Sequence, residues 1–394
     1  MKIDFNPYDY RWHTDPYPVY AQLREEAPVY RNQELGFWAL SRHADVRDAF
    51  RDADRFSSAH GVTLDPSATG AHARQVMSFL AMDPPEHGHL RGLVSKAFTV
   101  RRVAQLEPRV RAIALQHVLP ALEAARFDLI GEVAGRIPMD VISEMLGVAA
   151  EDRAELRQLA DEVLHRQPGI NDVPPGALAA AVKLVSYYEA LVAERRRRPG
   201  DDLTSALCAA DIEGRRLSDE DVIAFLFLMV VAGNETTAKL LGNCWYWGWR
   251  FPSEGHKAFD DPRWIVPWIE ETLRFDTSSH ILARTATVDV GLHGVTIPAG
   301  GRVVLLPASA NRDPRVFPDP DRYDLGRDTG EMLSFGVGRH FCLGASLARL
   351  EARVVLEELG SRVARYEVDP DGAVRVHSSN VLGFSALPTE VRLR

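Results

Sequence analysis

Residues 334–352 read SFGVGRHFCLGASLARLEA and join a loop of unusual composition to an amphipathic helix. A loop that only reversed the chain would need one glycine, whereas this one has three, together with Arg339, His340 and Cys342. Glycine has no Cβ atom, so the backbone can bend sharply and lie close to a flat ligand. Amide N–H groups at the start of a helix stabilise a cysteine thiolate, the form that binds a metal. The segment therefore predicts a planar, metal-centred group held by Cys342.

The stretch FGVGRHFCLG resembles the haem-binding signature of the cytochrome P-450 family of haem-thiolate monooxygenases. The positions that agree with the signature are Phe335, Gly336, Gly338, His340, Cys342 and Gly344. The resemblance implies haem b (iron protoporphyrin IX) as cofactor, Cys342 as the axial ligand of its iron, and Phe335 and Gly336 beside it. The alternative for any one cysteine is a buried free thiol, which is the prediction for Cys208 and Cys244 in their apolar helical contexts.

A second unusual segment is VAGNETTAKLL, residues 231–241, in which an apolar helical pattern contains Gly-Asn-Glu-Thr-Thr. Inside a helix Gly costs about 1 kcal/mol relative to Ala, and a carboxylate near a core needs a partner. The residues alone allow two helices broken by a polar loop. The segment also resembles the distal oxygen-binding helix of the family, which implies an acid–alcohol pair at Glu235 and Thr236, with Ala232 against the haem and Asn234 assisting. Thr236 would then hydrogen-bond dioxygen, and Glu235, with access to water, would supply protons.

Glu271 and Arg274 in EETLRF lie three residues apart and share one helix face. Alone, such a pair is a commonplace surface ion pair of small value. The segment FPDPDRYDLGRD resembles the part of the family that adds a second arginine to the pair, which implies Arg322 in this role, with Tyr323 where the family often has Phe. A buried network of this kind would hold the loop that leads into the cysteine segment.

The segment DPPEHGHLRGLVSKAF, residues 83–98, places His87 and Arg91 four residues apart on one helix face. In isolation these two side chains would be interpreted as surface residues. The resemblance implies that they bind the haem propionates, together with Arg284 of LARTAT and His340. Four donors from three distant segments suit two carboxylates.

The walls of the substrate pocket are expected, by position in the family, on the distal helix, before the Arg284 strand and in the C-terminal loop. These residues are Leu228, Val231, Ala232, His280, Ile281, Val381 and Leu382. The largely apolar set indicates a hydrophobic substrate of moderate size, such as a steroid, terpenoid, fatty acid or polyketide. His280 is either a donor to a substrate oxygen or a loop histidine satisfied within the protein.

The rest of the chain reads mainly as helix, with apolar residues recurring near every 3.6 positions. Strand patterns cluster late, at residues 286–307 and in RYEVDPDGAVRVH, residues 365–377, which predicts a hairpin turning at Asp371-Gly372. No repeat or long linker divides the sequence. We therefore expect one domain over residues 1–394, mainly α with a smaller β portion, with the cytochrome P-450 fold.

The charge and hydrophobicity of the sequence indicate which kinds of partner the protein can bind. Lys and Arg total 46 against 55 Asp and Glu, a net charge of −9, which argues against nonspecific nucleic-acid binding. The N-terminal sequence lacks the apolar core of a signal peptide. The most apolar run, residues 222–232, is shorter than the roughly 20 residues that span a bilayer. A soluble, cytoplasmic protein without a membrane anchor is predicted, and a monomer is expected.

The function implied is insertion of one oxygen atom from dioxygen into a hydrophobic small molecule, with hydroxylation as the expected outcome. Electrons would come from a ferredoxin or flavodoxin served by a separate NAD(P)H reductase. A basic docking patch is predicted on the cysteine side. Its residues are Lys96, Arg101, Arg102, Arg339 and Arg349.

The sequence leaves three alternative functions open. The first is a peroxide-driven oxygenase, which typically lacks the acid–alcohol pair. The second is a haem-thiolate sensor without catalysis, which would not need that pair. The third is a non-haem enzyme with a nucleophilic cysteine, for which no partner base is recognisable.

Overall fold

The computed structural model describes residues 3–212 and 215–394. Helices account for 54% of the structure and strands for 13%, so the predicted mainly α chain with a smaller β portion is confirmed. The α-helices of the described residues are α1 (Tyr10–Thr14), α2 (Tyr17–Glu26), α3 (His43–Arg51), α4 (Ala73–Met77), α5 (Glu86–Val94), α6 (Val100–Gln105), α7 (Glu107–Ala124), α8 (Ile137–Leu146), α9 (Arg153–Leu164), α10 (Pro175–Arg197), α11 (Leu203–Ala209), α12 (Asp219–Arg250), α13 (Pro252–Asp260), α14 (Ile265–Phe275), α15 (Pro307–Ala310) and α16 (Ala345–Gly360).

The strands form one mixed sheet and several small ones. Their bounds are β1 (Val29–Asn32), β2 (Phe37–Leu40), β3 (Phe56–Ser57), β4 (Arg126–Asp128), β5 (Asp211–Ile212), β6 (Arg215–Arg216), β7 (Leu282–Ala286), β8 (Val290–Leu292), β9 (Val295–Ile297), β10 (Arg302–Leu305), β11 (Val363–Val368), β12 (Val374–Arg375), β13 (Phe384–Ala386) and β14 (Pro388–Leu393). The mixed sheet has the order β1-β2-β10-β7-β3, with β10 parallel to β2 and its other pairs antiparallel. Strands β11, β14 and β4 form a three-stranded sheet, and β12–β13, β5–β6 and β8–β9 are two-stranded.

The 32-residue helix α12 is the centre of the helical part and packs against α8, α9, α10, α14 and α16. Its start follows from sequence, because the Ser218 hydroxyl accepts from the Asp221 N–H at 3.1 Å and the first turn is acidic. Most of its residues are buried, and its apolar side chains belong to the largest hydrophobic cluster of the described residues. The length and burial of α12 make it the fixed wall against which a site can be built.

One predicted element is wrong. Residues 365–377 do not form a hairpin, because β11 pairs with β14 and β12 pairs with β13. The chain does turn at Asp371-Gly372, but it passes from one sheet to another there. Each strand finds its partner in the C-terminal residues instead, so the local turn signal located the bend and not the pairing.

By length and composition, α10 and α12 are the two helices within the described residues that could cross a membrane. Two thirds of the most apolar window of α12 is buried inside the protein, which identifies it as a core helix. For α10 the buried share is one third, and its apolar residues pack against α9, α11 and α12. Such helices are weak evidence for a membrane span.

Candidate active site

An internal cavity lies between α12, β7 and the loop that precedes α16. Side chains from α5 and α14 complete its wall. Many residues singled out from the sequence line this cavity: Arg91, Leu228, Ala232, Thr236, Arg284, Phe335, Gly336, His340 and Cys342. Segments that are far apart in the chain therefore meet around one space.

The cysteine loop has the backbone that its glycines predict. Gly336 and Gly338 have φ angles of +64° and +76°, in the left-handed region that favours glycine. A Cβ atom on Gly338 would lie 3.2 Å from the carbonyl oxygen of Phe50. The Cys342 N–H donates to the Phe335 carbonyl at 2.8 Å and closes the loop. Helix α16 begins three residues later, so Cys342 is presented to the cavity just before a helix start.

Several groups act on the Cys342 thiol, which is exposed to the cavity. Desolvation by the surrounding protein raises its pKa, whereas the Gly344 N–H and the guanidinium groups of Arg91 and Arg349 act in the opposite direction. The predicted stabilisation of the thiolate is therefore present, and a bound metal would deprotonate the coordinating thiol.

Four cationic or potentially cationic side chains meet at one side of the cavity. The rings of His87 and His340 lie 4.2 Å apart, centroid to centroid. Burial, with Arg284, His87 and Arg91 nearby, lowers the pKa of His340 to about 2. Burial and Arg91 lower the pKa of His87 to about 4. Both imidazoles are thus neutral at pH 7 and act as hydrogen-bond donors and acceptors beside two guanidinium groups.

This cluster is suited to an anionic group. The His87 Nε2 atom is buried without a hydrogen-bond partner among the described residues. Arg284 is buried and donates to the Ala283 carbonyl at 2.8 Å, and burial lowers its pKa to about 10. Such groups are costly to bury unless an anion compensates them. With Cys342 on the same cavity, the residues present fit a haem whose propionates lie against these donors.

The distal segment is one continuous helix, because α12 runs unbroken from Asp219 to Arg250, so the two-helix interpretation is wrong. Thr236 lines the cavity, and its hydroxyl donates to the Ala232 carbonyl at 2.7 Å. Glu235 is not among the cavity residues. It is buried and forms an ion pair with Lys239, Oε1 to Nζ 2.6 Å.

The expected direct access of Glu235 to water is wrong, because its side chain is 4% exposed and is paired with Lys239. Successive residues on an α-helix point about 100° apart, and at this turn Thr236 lies on the cavity wall whereas Glu235 does not. Asn234, the third polar residue of this turn, is also buried, and neither of its amide atoms has a partner in the described chain. The helix thus separates a hydroxyl on the cavity from an acid behind it.

The predicted buried ion-pair network of Glu271 and Arg274 is present, but its third residue is Arg327 and not Arg322. The two side chains are 1% and 0% exposed and form two hydrogen bonds, of 2.7 and 2.8 Å. Arg327, 10% exposed, approaches Glu271 Oε1 at 3.4 Å. Arg322 is 67% exposed and pairs with Asp324 at 3.5 Å, so its predicted place is wrong. Its backbone carbonyl, not its guanidinium, faces the network.

The network reaches the cysteine loop through Asn311. Arg274 donates to the Asn311 carbonyl at 3.0 Å, and the Asn311 side chain bonds the Leu333 N–H and the Ser334 hydroxyl, at 2.7 and 2.8 Å. Ser334 in turn donates to the Leu273 carbonyl at 2.6 Å. The loop is thereby attached to α14. Tyr323 joins the same region, with its hydroxyl 2.6 Å from that of Thr272.

The predicted substrate wall is only partly on the cavity. Among the described residues, Leu228 and Ala232 line it, whereas Val231, His280, Ile281, Val381 and Leu382 do not. In β7 alternate side chains point to opposite faces. Leu282 and Arg284 face the cavity, so Ile281 packs on the other side, in the cluster that contains Phe5 and Tyr20.

His280 is the most consequential of these corrections. It is fully buried, and its Nδ1 lies 2.7 Å from the Tyr20 hydroxyl. Burial lowers its pKa to about 3, so it is a neutral core histidine. The segment directly before it, residues 277–279, lines the cavity instead. The C-terminal loop is hydrogen-bonded to this segment: Val381 forms a β-bridge with Ser279, and the Leu382 N–H donates to the Ser278 carbonyl at 2.7 Å.

Sequence reasoning also missed Glu351, a cavity residue on α16. Its side chain is buried, its Oε2 has no partner within the described residues, and burial raises its pKa to about 8. The sequence contained a signal for this position, because Glu351 lies one turn beyond Leu347 on the helix face that meets the cavity.

The predicted basic patch is only partly available on the surface. Four of its residues are exposed, whereas the Arg349 guanidinium donates to the Glu270 carboxylate at 2.6 and 2.9 Å.

Comparison with known proteins identifies this arrangement. The family model described as Cytochrome P450 matches residues 267–392. The chain is 57% identical to cytochrome P450 123 of Mycobacterium tuberculosis over 394 residues, 100% of this chain and 98% of that protein. It is 40% identical to the vitamin D(3) 25-hydroxylase of Pseudonocardia autotrophica over 383 residues, 95% of this chain and 93% of the other.

The structural comparison agrees. The crystal structure of CYP109E1 from Bacillus megaterium in complex with testosterone superposes with a TM-score of 0.90 at 30% identity, covering 97% of this chain and 99% of the other. Identity at these levels over nearly the whole chain extends the resemblance from the cysteine motif to the complete fold. The chain belongs to the cytochrome P450 family and is a haem-thiolate monooxygenase that uses dioxygen as co-substrate.

Proposed function

We propose that this monooxygenase hydroxylates a hydrophobic small molecule of the steroid class, with residues 1–394 acting as one catalytic unit. The observation that carries the proposal is the single cavity that Cys342 and Thr236 line from different elements. Haem b bound there supplies the activation of dioxygen that transfers one oxygen atom to a C–H bond.

Each wall of the cavity then has a separate task. Cys342 would be the thiolate ligand of the iron, on a loop held by the Phe335 carbonyl and by the network behind Ser334. His87, Arg91, Arg284 and His340 would bind the propionates and so hold the haem in place. The Thr236 hydroxyl, which donates to Ala232, keeps its lone pairs available to accept and pass on a proton at Oγ1. Glu235 is the acid behind it.

The substrate class follows from the wall and from the relatives. Phe79, Phe98, Ile142 and Leu228 contribute apolar surface, and Thr277 and Ser278 add hydroxyl groups in one segment. An apolar pocket with a few polar groups selects a compact hydrophobic molecule and orients it. One relative is named as a vitamin D(3) 25-hydroxylase, another as an erythromycin C-12 hydroxylase, and one structural neighbour is in complex with testosterone. A steroid skeleton is therefore the class proposed, with a polyketide as the alternative, ahead of a terpenoid or fatty acid.

A binding screen that follows the haem spin state tests this proposal. Testosterone and vitamin D3 are expected to displace iron-bound water and shift the spectrum, and palmitate is expected to do so weakly. Leu228→Trp should weaken steroid binding by about 10-fold or more, because overfilling a packed cavity costs about 1–3 kcal/mol. Val182→Trp, on the exposed face of α10, is the matched control and should bind steroid as the wild type does.

Product analysis with ferredoxin and its reductase completes the test. A hydroxylated steroid is the expected product. A spectral shift and oxidation with palmitate but with neither steroid would overturn the substrate class. Turnover supported by hydrogen peroxide but not by the ferredoxin system would instead indicate the peroxide-driven alternative.

Thr236→Ala is expected to uncouple electron consumption from product formation. Loss of the hydroxyl removes the proton-transfer group on the cavity, so coupled product should fall by at least about 10-fold while released hydrogen peroxide rises. NADPH consumption, peroxide and product are measured together. Thr236→Ser keeps the hydroxyl and should restore coupling. Unchanged coupling in Thr236→Ala would contradict the role assigned to the hydroxyl.

The partners follow from the same proposal. A ferredoxin or flavodoxin with a separate NAD(P)H reductase would supply electrons on the cysteine side. The exposed residues Lys96, Arg101, Arg102 and Arg339 are proposed to form the docking patch there. The enzyme is proposed to act as a cytoplasmic monomer, and no role in nucleic-acid binding is proposed.

A further inference from the structure

Three charged side chains meet on the side of α12 away from the cavity. Glu235 and Lys239 lie one turn apart, are each 4% exposed at the side chain, and form an ion pair of 2.6 Å. The carboxyl of Asp161, on α9, hydrogen-bonds that of Glu235. Two carboxyl groups in hydrogen-bond contact cannot both ionise without strong repulsion, so they share a proton.

The groups that face Asp161 are few. They are Glu235 and Lys239 from α12 and Arg157 from its own helix. Desolvation, followed by the Glu235 charge, raises the pKa of Asp161 to about 8, and the two cations act in the opposite direction. The shared proton is therefore present at pH 7 and is lost as the pH rises through about 8.

The C-terminal loop packs against Lys239. Gly383, with a φ of +152°, lies on its aliphatic stem, and a Cβ atom at position 383 would lie 2.5 Å from the Lys239 Cβ. The Lys239 ammonium lies 2.6 Å from Glu235 Oε1, and the pKa of the neighbouring Asp161 carboxyl is raised.

The two carboxyl groups differ in their exposure. Glu235 is buried and touches neither the cavity wall nor bulk water. Asp161, near the C-terminal end of α9, keeps an exposed surface although protein surrounds much of its carboxyl. The Asp161 carboxyl therefore offers a proton route from solvent to Glu235 on this side.

We propose that Asp161 is a positioning residue that returns protons from solvent to Glu235, and so feeds Thr236. This inference rests on the proposed role of Glu235 and Thr236. The cycle starts when Glu235 has given a proton toward Thr236 and is left as a carboxylate. The Asp161 carboxylic acid then gives its proton to Glu235, and water at the exposed side of Asp161 restores the Asp161 acid. Each cycle therefore moves one proton from water to Thr236 and returns both carboxyl groups to their starting state.

The test compares Asp161→Asn with Asp161→Glu in the haem-loaded enzyme. With ferredoxin-supplied electrons and testosterone as probe, Asp161→Asn should slow dioxygen consumption by about 10-fold, as expected for a group that acts through its neighbour. Turnover driven by hydrogen peroxide should change little, since peroxide brings its own protons. Asp161→Glu should recover most of the rate. Glu155→Gln, an exposed carboxylate on the same helix, is the control.

A second readout does not depend on turnover. Infrared difference spectra of protein labelled with 13C-aspartate separate Asp161 from Glu351, whose pKa is raised to a similar value. The wild type should show a protonated aspartate band that disappears as the pH rises through about 8. The band should be absent from Asp161→Asn and retained in Glu155→Gln.

The outcomes separate this inference from the proposed function. If Thr236→Ala uncouples turnover but Asp161→Asn retains both wild-type dioxygen consumption and its dependence on pH, the role of Asp161 is overturned. A labelled wild-type protein without a titrating aspartate band overturns it as well. If Thr236→Ala has no effect, the proposed function has failed first.

Discussion

Replacing Cys342 with alanine is expected to abolish the monooxygenase. The variant should fold, because the loop is held by Asn311 and Ser334, but its reduced carbonyl adduct should lack the spectrum of a thiolate ligand. Turnover should fall by at least about 10²-fold, since losing groups that only orient a metal ligand already costs about 10–100-fold. Haem content, the carbonyl spectrum and product formation are the measurements.

The control for this experiment is another cysteine. Cys208 is buried in the hydrophobic core, far in sequence from the loop. Cys208→Ala should keep the thiolate spectrum and wild-type turnover, with at most a modest loss of stability. A thiolate-type spectrum that persisted in Cys342→Ala would refute the assignment of the ligand.

Arg274→Met is expected to have the largest effect on stability. The substitution keeps the length of the side chain but leaves Glu271 buried and uncompensated. Breaking one partner of a buried ion pair costs about 3–5 kcal/mol, a large part of the roughly 5–15 kcal/mol that stabilises most folded proteins. Denaturant unfolding of the holoenzyme measures the change, and the cysteine loop should lose haem at lower denaturant than the wild type.

Two further variants distinguish the arginines of this region. Arg322→Met should change the free energy of unfolding by no more than about 0.5 kcal/mol, because the side chain is exposed. The loss of unfolding free energy in Arg327→Met should lie between those of Arg274→Met and Arg322→Met, because the Arg327 guanidinium faces Glu271 and several backbone carbonyls. If Arg322→Met were the more damaging variant, the network would be built as the sequence predicts and not as the structure places it.

Features that depend on neighbours within one or two turns were predictable. The spacing around Cys342 identified the ligand loop and the start of α16, and the Ser218 cap marked the start of α12. The acid and alcohol at positions 235 and 236 were recognisable as a pair because the residues are adjacent. Glycine conformation, helix caps and helix periodicity are local properties, and each leaves a mark in a short stretch of sequence.

The errors arose where the partner is distant. Arg322 and Arg327 are five residues apart and chemically alike, and only the path of the chain around Pro318 and Asp319 decides which one faces Glu271. The alternation in β7 was set by its pairing with β10, which turned Ile281 away from the cavity. His280 forms a hydrogen bond with Tyr20, a residue 260 positions away in the chain, and is therefore turned away from the cavity.

Motifs and helix periodicity predicted the cysteine loop, the central helix, the mainly α fold and the family, because these features depend on interactions over short distances along the chain. The packing of distant segments places Glu235 behind α12, brings Asp161 to it from α9, and puts Glu351 and residues 277–279 on the cavity wall. The free energy of a buried charge depends on which groups surround it in space, and those groups come from segments whose separation along the chain carries no signal.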